Sequence, residues 1–400
     1  MDASPLNLFW EGFELDRYEV LPNQSLLIQL RFNPKCTPRC NRCSAPCTLI
    51  HDCRIRRVRE RDLFDYKVWL DVPVRRLRCS RCGPALERIN WLSGRFHLTN
   101  AMRCWIEALT KILPIKHVAE LTGLHWHTVK NIDKQRLARD VTPPDRSKLR
   151  RLIMDEFALH KGHRYATVVI CADTQQVLWI GEGRSREAIR PFFLWLGDAC
   201  QNIEAVAMDM NTAFDLEVQQ HCPKARVVYD LFHVIAKYGR EVIDRVRVDQ
   251  ANQLRHDKPA RRLVKRSRWL LLRNPENLAV DQANKLEELL AANAPLTTVY
   301  ILKAQLKELW YAPDEETARA RWKCWLAMAE ESGIHALQLF ARRLSNYLEG
   351  IVSSASYRLN TSMLEGMNNK IKVLKRMAYG YRDKAYFFLK IKDAFPGKAR

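Results

Sequence analysis

The chain lacks any long apolar run. Its most hydrophobic stretch, residues 269–272, is flanked by Arg268 and Arg273, and it is far shorter than the roughly 20 residues that a membrane-spanning helix needs. The first residues, beginning with Met1 and Asp2, contain no apolar segment of the kind found in a secretory signal peptide. We therefore expect a soluble cytoplasmic protein with no membrane partner.

Acidic residues are also in short supply. The 400 residues include 45 Asp and Glu against 66 Lys and Arg, which gives a formal net charge of +21. Such a charge favours a polyanionic partner, because neutralising phosphates releases counterions, and nucleic acid is the leading candidate. A merely soluble basic protein is the alternative. The hydrophobic content of 47% is enough for a sizeable core, and the length suggests two or three domains.

Cysteines are present but unevenly placed. Seven of the twelve lie between Cys36 and Cys82, and in a cytosolic chain such a cluster indicates metal binding rather than disulfides. Two Cys-x-x-Cys pairs within it are separated by a strand-rich segment, as in a zinc ribbon with one structural Zn²⁺. We predict a zinc-ribbon-like domain over residues 1–95 with the ligands Cys40, Cys43, Cys79 and Cys82.

The remaining residues of this cluster leave alternatives open. Cys47, His51 and Cys53 lie close to the pairs, so the ligand set could differ or a second ion could bind. Cys36 precedes Cys40 at the spacing of a radical iron–sulfur motif, although a barrel of strand and helix units should then follow. Buried thiols without metal are the remaining possibility.

Residues 96–147 read as a helix-turn-helix followed by a linker. Asn100 is expected to cap a first helix, and a turn around Gly123 joins two further helices. The last of these would read the DNA groove and contact phosphates. Its predicted DNA-binding residues are His125, His127, Thr128, Lys130, Asn131 and Lys134.

After residue 147 the pattern changes from helices to strands. Three strands form a predicted meander, and two more alternate with helices. This is the order of a ribonuclease-H-like mixed sheet, in which the first and fourth strands are neighbours. The predicted strands cover residues 152–155, 165–171, 177–180, 206–209 and 226–229.

Three acidic residues occur at positions that would lie close together in such a fold. Asp155 and Asp209 end apolar strands, and Glu365 lies on an amphipathic helix. Asn369, Lys372 and Arg376 follow Glu365 on one face at helical spacing, which puts the carboxylate in line with groups suited to DNA phosphate. Close carboxylates repel one another, and two Mg²⁺ or Mn²⁺ ions about 3.5 to 4 Å apart would relieve that repulsion. The expected chemistry is phosphodiester hydrolysis and strand transfer.

Each of these acids also has an ordinary structural interpretation. An isolated Asp at a strand end more often caps a helix or forms a turn, and an isolated helical Glu is usually solvated. Nearby acids that compete for the same role fall at a hairpin turn, lack the apolar lead-in or point to the opposite strand face. These competitors are Glu156, Asp173, Asp215 and Glu349.

Residues 234–355 carry only helical patterning, which predicts an all-helical insertion between Asp209 and Glu365. A strongly basic segment at residues 258–268 is either a solvated face or a DNA contact. Trp310, Trp322 and Trp325 are most simply core residues, although an aromatic ring can also stack on an unpaired base.

Several of these motifs together resemble the bacterial insertion-sequence transposases of the ISL3 family. The resemblance rests on Asp155-Glu-Phe, Lys161-Gly-His163 with Tyr165, Met208-Asp-Met210, Asp230-Leu-Phe-His233, Glu365-Gly-Met-Asn-Asn-Lys-Ile-Lys372, Arg376 and Tyr379-Gly-Tyr-Arg382. It extends from the cysteine pairs to the carboxyl terminus.

The resemblance implies a multidomain α/β protein: a zinc-binding region, a helix-turn-helix, and a ribonuclease-H-like catalytic domain formed by residues 148–233 and 356–400. It implies the triad Asp155, Asp209 and Glu365, with Asp230 and His233 near the active site. The expected protein is a nucleoid-associated bacterial DNA transposase that forms a homo-oligomer on DNA. It would bind the terminal inverted repeats of its element and a target DNA. The alternatives are a regulator with an inactive transposase-derived domain and a structure-selective nuclease.

Overall fold

The computed structural model describes residues 9–94, 96–160, 164–359 and 362–398, without the side chains of residue 307 and residues 362–365. Two compact units account for the chain. The first contains Met1–Asp140 and Lys375–Leu389, and the second contains Val141–Leu374 and Lys390–Arg400. No described helix has both the length and the apolar composition needed to cross a membrane.

A five-stranded mixed sheet begins the first unit. Its order is β1-β2-β4-β3, with β5 paired to β4. Alternate residues of β4, including Val68, Leu70 and Val72, are buried, as expected for a strand with one face on a core. The strands are β1 (Phe13–Leu21), β2 (Ser25–Phe32), β3 (Ile50–Arg59), β4 (Lys67–Cys79) and β5 (Gly83–Leu86).

Three helices complete the amino-terminal part of this unit: α1 (Asn100–Ile112), α2 (Ile115–Thr122) and α3 (Trp126–Asp140). The predicted cap at Asn100 is wrong by one residue, because the Thr99 hydroxyl accepts the hydrogen bond from the Met102 backbone N–H at 3.1 Å. Gly123 ends α2 with φ at +67°, a left-handed conformation that favours glycine. This turn sets the direction in which α3 begins.

The second unit is built on a five-stranded sheet of order β10-β9-β6-β7-β8. Pairing is antiparallel within the β6-β7-β8 meander and parallel between β6, β9 and β10. The prediction that the first and fourth strands of this sheet are neighbours is confirmed. The strands are β6 (Arg151–His160), β7 (Arg164–Cys171), β8 (Val177–Glu182), β9 (Ala205–Met208) and β10 (Arg226–Tyr229).

β6 is longer than predicted. The expected strand ended at Asp155, but pairing with β7 continues to His160. The parallel pairing of β6 with β9 is described from Arg151 to Ile153. Asp155 therefore lies in the middle of β6, just beyond the part that β9 pairs with.

Helices surround this sheet and fill the interval up to Ala355. One hydrophobic core joins Leu152 of β6 and Phe192 to Trp322 and Trp325, so the prediction that these two tryptophans are core residues is confirmed. The helices are α4 (Arg186–Leu196), α5 (Thr212–His221), α6 (Leu231–Tyr238), α7 (Asp244–Gln253), α8 (Lys258–Arg266), α9 (Arg268–Leu272), α10 (Val280–Ala291), α11 (Ala294–Trp310), α12 (Glu315–Glu331), α13 (His335–Ser345) and α14 (Leu348–Val352).

The last two helices are α15 (Ser362–Met377) and α16 (Lys384–Ala394). On α15, Met367 and Ile371 are buried, as the predicted apolar face requires. Residues 384–389 of α16 belong to the first unit. There the Tyr386 hydroxyl donates a 2.5 Å hydrogen bond to the buried Asp133 carboxylate of α3.

Candidate active site and zinc centre

The register of the second sheet brings two of the predicted acids together. Arg151 pairs with Ala205 and Ile153 pairs with Ala207 in the parallel ladder of β6 and β9. Extended two residues beyond the observed pairs, this register aligns Asp155 with Asp209, which directly follows the last residue of β9. Two carboxylates that are 54 positions apart (209 − 155) therefore share one edge of the paired region.

Asp155 is largely withdrawn from water, and burial raises the pKa of its carboxyl group. Its Oδ1 accepts a 2.7 Å hydrogen bond from the Glu156 backbone N–H. Its Oδ2 accepts a 2.7 Å hydrogen bond from the Asn368 side-chain amide of α15. The cost of burying this charge is thus partly offset by two donors, and a cation would offset it further.

Asp209 lies beside two residues at the start of α6: Asp230, the residue directly before the helix, and His233 in its first turn. Its Oδ2 lies 3.4 Å from His233 Nδ1, while His233 Nε2 lies 3.8 Å from Asp230 Oδ2. Asp230 also caps α6 by accepting a 2.9 Å hydrogen bond from the Phe232 backbone N–H. His233 therefore lies between two carboxylates, and Asp230 and His233 are near Asp209 as the resemblance implies.

Glu156 makes contacts different from those of its neighbour Asp155. Its carboxylate accepts a 2.8 Å hydrogen bond from the Asn211 side-chain amide, and Arg184 approaches it at 3.4 Å. Burial raises the pKa of Glu156. Asn211 also caps α5 through the Ala213 backbone N–H at 3.0 Å. The hydrogen bond between Asn211 and Glu156 thus holds the segment after Asp209 against β6.

The third predicted acid, Glu365, lies on α15 one helical turn before Asn368. Its side chain is outside the described part of the structure, as are Lys161, Gly162 and His163. Lys372 and Arg376 of α15 are exposed. Sequence reasoning missed Asn368 because it placed Asn369 on the Glu365 face. The signal that could have found Asn368 is its spacing of three residues from Glu365.

The two cysteine pairs form a four-thiol cluster. The Sγ atoms of Cys40, Cys43, Cys79 and Cys82 all lie within 4.8 Å of one another. Cys43 Sγ and Cys79 Sγ are 3.6 Å apart, close to the roughly 3.8 Å between sulfurs that a tetrahedral zinc with 2.3 Å bonds requires. The donor set therefore fits a structural zinc ion.

Electrostatics within the cluster favour a shared cation. Backbone N–H groups of Cys43 and Arg42 lower the pKa of Cys40 to about 7. Hydrogen bonding with Cys43 raises the pKa of Cys82 to about 12. One thiolate thus forms readily, whereas its negative charge opposes ionisation of the neighbouring thiols. A bound divalent cation would remove this repulsion.

The extra cysteines do not join this cluster. Cys47 donates a 3.2 Å hydrogen bond to the Arg78 carbonyl, Cys36 and Cys53 are exposed, and His51 pairs with Asp52. Among the described residues, no second group of His, Cys, Asp or Glu meets the same distance limit. Cys36 is not part of the four-thiol group, and the described sheets are open rather than a barrel of strand and helix units, so the structure does not support the iron–sulfur alternative.

The predicted DNA-binding residues of the helix-turn-helix differ in their surroundings. His125, His127 and Asn131 are exposed, and the two imidazole rings stack with centroids 5.3 Å apart. Lys130 and Lys134 are instead engaged within the unit, because both donate to Asp383 Oδ2 at 2.8 and 2.9 Å. Thr128 is half-buried.

Comparison with known proteins identifies the family. A family model described as "Transposase", that of the ISL3 DDE transposases, matches residues 152–391. A second, the helix-turn-helix domain of transposase family ISL3, matches residues 87–137. The chain is 54% identical over 395 residues to the transposase for insertion sequence element IS1001 of Bordetella parapertussis, covering 98% of this chain and 97% of that protein.

Two more distant similarities were found. The transposase for insertion sequence element IS1557 of Mycobacterium tuberculosis is 26% identical over 396 residues, covering 93% of this chain and 89% of that protein. The Drosophila P element transposase strand transfer complex has a TM-score of 0.40 and 10% identity, covering 74% of this chain and 91% of that one.

A DDE transposase is the class of enzyme that the acid-bearing domain and the helix-turn-helix define. The chain belongs to the ISL3 family of these transposases. The predicted resemblance is therefore confirmed, as is the helix-turn-helix.

Proposed function

We propose that the chain cuts DNA at the terminal inverted repeats of its insertion sequence and joins the freed 3′ ends to a target. Asp155, Asp209 and Glu365 are the proposed metal-binding acids. The observation that carries this proposal is the β6–β9 register, which supports Asp155 and Asp209 acting together. The bond from Asn368 to Asp155 supports Glu365 as the third acid, because α15 carries both residues.

The residues of the site have separate tasks in this reaction. Asn368 and the Glu156 backbone N–H orient the two oxygens of Asp155. His233 restrains Asp209 from the side of α6. When bound, two Mg²⁺ or Mn²⁺ ions supply charge neutralisation and activate the water or 3′ hydroxyl that attacks phosphorus. Carboxylate oxygens are the ligands that such hard cations prefer.

The catalytic domain is proposed to be ribonuclease-H-like. A meander of three strands, then two parallel strands added on the side of the first, supports this fold. The division into residues 1–95, 96–147, 148–233 with 356–400, and the all-helical insertion 234–355 stays a prediction.

DNA recognition is proposed to use the helix-turn-helix, with a zinc ion held by the four-thiol cluster. His125, His127 and Asn131 are the best-exposed candidates for groove contacts, while Lys372 and Arg376 are candidates for phosphate. Double-stranded DNA of the element ends and of the target is the proposed partner. Bringing two ends together requires a homo-oligomer on DNA.

Neutralising one acid tests the site. We expect Asp155→Asn to lower Mg²⁺-dependent cleavage of a duplex carrying the element's end by about a thousandfold or more, because the metal loses a charged ligand. Binding of the same duplex should stay within about twofold of the wild type. Gel assays of cleavage and of binding measure the two effects.

Asp198→Asn is the matched control, because it removes an exposed acid from the same unit, and it should cut normally. Cleavage by Asp155→Asn at the wild-type rate would refute the proposed triad. If the wild-type chain binds the ends but does not cut them in the presence of Mg²⁺ or of Mn²⁺, it is a DNA-binding regulator instead.

A further inference from the structure

Helix α8 has an unusual concentration of positive charge. No acidic residue occurs between Lys258 and Arg273, although the segment holds seven Lys and Arg residues. The only nearby carboxylate in the preceding sequence, Asp257, is the cap of α8 and accepts a hydrogen bond from the Ala260 backbone N–H at 3.0 Å. The charge of α8 is therefore not balanced along its own sequence.

Four cations of α8 are exposed and form no ion pair with any carboxylate that the structure describes: Lys258, Arg262, Lys265 and Arg266. Other cations beside α8 are paired. Arg247 and Arg268 both contact Asp244, at 3.3 and 2.9 Å. Asp244 thus neutralises Arg247 and Arg268, which lie on the neighbouring helices α7 and α9. The four unpaired cations of α8 are left to solvent, and we call the side that carries them the outer face of α8.

The outer face also has the dimensions of a phosphate-binding surface. Lys258 and Arg266 are eight residues apart, which corresponds to about 12 Å along a helix. A duplex of that length carries about seven phosphates. Val264, on the opposite side of α8, is buried in the protein core, and Leu263 is the one large apolar side chain that α8 exposes. A single exposed leucine is not the broad apolar face of a helix that inserts into a membrane surface.

The position of α8 relative to Asp209 follows from one continuous helical run. α6, a π-helical turn at Gly239–Ile243 and α7 follow one another from Leu231 to Gln253. His233, near the start of this run, contacts Asp209. Arg247, further along it, donates a 2.7 Å hydrogen bond to the Lys265 carbonyl at the end of α8. Fourteen residues of helix (247 − 233) span about 20 Å.

We propose that α8 binds the sugar–phosphate backbone of duplex DNA about six base pairs from the phosphodiester that is cut. The distance of about 20 Å divided by the rise of about 3.4 Å per base pair gives this separation. This inference rests on the proposed function, because it takes the Asp155 and Asp209 site as the place of cleavage. Because phosphates are contacted, the binding is independent of base sequence.

Neutralising three of these cations tests the proposal. In the full chain, Arg262→Ala, Lys265→Ala and Arg266→Ala are combined; alanine keeps the helix, and circular dichroism and the melting temperature check this. We expect affinity for a labelled 50-base-pair duplex carrying the element's end to fall at least tenfold at 0.15 M salt. The slope of log affinity against log salt should become shallower by about two to three, or about 0.9 per lost phosphate contact.

A control triple removes the same charge from the same unit but at paired cations: Lys285→Ala, Arg319→Ala and Arg342→Ala. These residues pair with Asp281, Glu349 and Glu330. The control should bind DNA within about twofold of the wild type with an unchanged salt slope. Wild-type affinity and slope in the α8 triple would overturn the proposal, and so would an equal loss in both triples.

Phosphate ethylation interference locates the contact. Ethylated phosphates about six base pairs from the element's end, where the proposed cut lies, should weaken binding by the wild type and lose that effect in the α8 triple. An unchanged interference pattern in the triple would also overturn the proposal. Loss of binding to phosphatidylserine vesicles with normal DNA binding would assign α8 to a membrane surface instead. None of these binding assays needs cleavage, so a wild type that fails to cut refutes the proposed function and leaves the decision about α8 intact.

Discussion

We infer that Asn368 positions Asp155 in the candidate active site. It reaches Asp155 from α15 with a 2.7 Å hydrogen bond, and Asp155 has its other oxygen bound to the Glu156 backbone. The amide thus determines which way the carboxylate faces. A side chain that only filled space would leave both the metal dependence and the rate of cleavage unchanged when it was shortened.

We expect Asn368→Ala to lower the rate of cleavage by about ten- to a hundredfold and to raise the Mg²⁺ concentration that gives half-maximal activity. The reason is that Asp155 loses one of its two restraints while keeping its charge. Single-turnover cleavage over a Mg²⁺ titration measures both effects. Asn369→Ala, at an exposed neighbouring position, is the control, and equal behaviour of the two variants would contradict the positioning role.

The sequence predicted the acids but not the amide that contacts Asp155. Asp155 and Asp209 follow apolar segments, so their place on the sheet could be predicted from pattern and strand order. Asn368 and Asn369 are three and four residues after Glu365, and both spacings bring a residue to the same side of a helix. Only the packing of α15 decides between them, because Met367 and Ile371 are the residues that it buries.

At the level of elements, the contact of α16 with α3 is a polar one. Asp383, directly before α16, forms ion pairs with Lys130 and Lys134 of α3. The Tyr386 hydroxyl donates a hydrogen bond to the Asp133 carboxylate. Hydrogen bonding from Lys130 holds the pKa of Asp383 well below its usual range. Because the folded-state pKa is lowered, this carboxylate stabilises the fold above the unfolded pKa of about 4, and the contribution is lost as the pH falls.

We therefore expect Asp383→Asn to lower the melting temperature of the first unit by about 2 to 4 °C at pH 7. The difference from the wild type should shrink as the pH falls below about 4, because Asp383 then takes up a proton in the unfolded wild type, while in the folded protein its pKa is lower. Thermal melts followed by circular dichroism at several pH values measure this. Asp16→Asn, an exposed change on β1, should have no effect, and a difference for Asp383→Asn that persists undiminished at pH 2 would contradict the ion-pair explanation.

Elements differed in how well the sequence predicted them. The strands of the second sheet were found because apolar runs are bounded by turns and acids, whereas β6 continued to His160 past its acids. The pairing with β7, which is a tertiary feature, extends that strand. The contact of α16 with α3 joins residues 253 positions apart, and no local pattern predicts a contact of that range.

For the molecule as a whole, the four-thiol cluster ties together the two ends of the cysteine-rich segment. Cys40 and Cys43 precede β3, and Cys79 and Cys82 follow most of β4, so a bound ion would link the chain across the sheet. Structural zinc contributes directly to folding free energy. The stability of the first unit should therefore depend on the metal.

We expect about one zinc per chain in purified protein, and a chelator should remove it and lower the melting temperature of the first unit. Combined Cys79→Ser and Cys82→Ser should abolish zinc binding, whereas Cys104→Ser with Cys324→Ser, two exposed cysteines outside the cluster, should retain it. Metal analysis by mass spectrometry and calorimetry measure these outcomes. Full zinc content in the Cys79 and Cys82 variant would remove these residues from the ligand set.

The buried bond between Tyr386 and Asp133 also has a consequence for the order in which the protein is made. Asp133 leaves the ribosome early, but the hydroxyl that it accepts a hydrogen bond from is translated 253 residues later. The amino-terminal part of this unit therefore obtains these buried contacts only after residues 383–386 have been translated. A reading frame interrupted before codon 383 would produce a helix-turn-helix in which α3 has lost two partners: Asp383, which pairs with Lys130 and Lys134, and Tyr386, which bonds to Asp133.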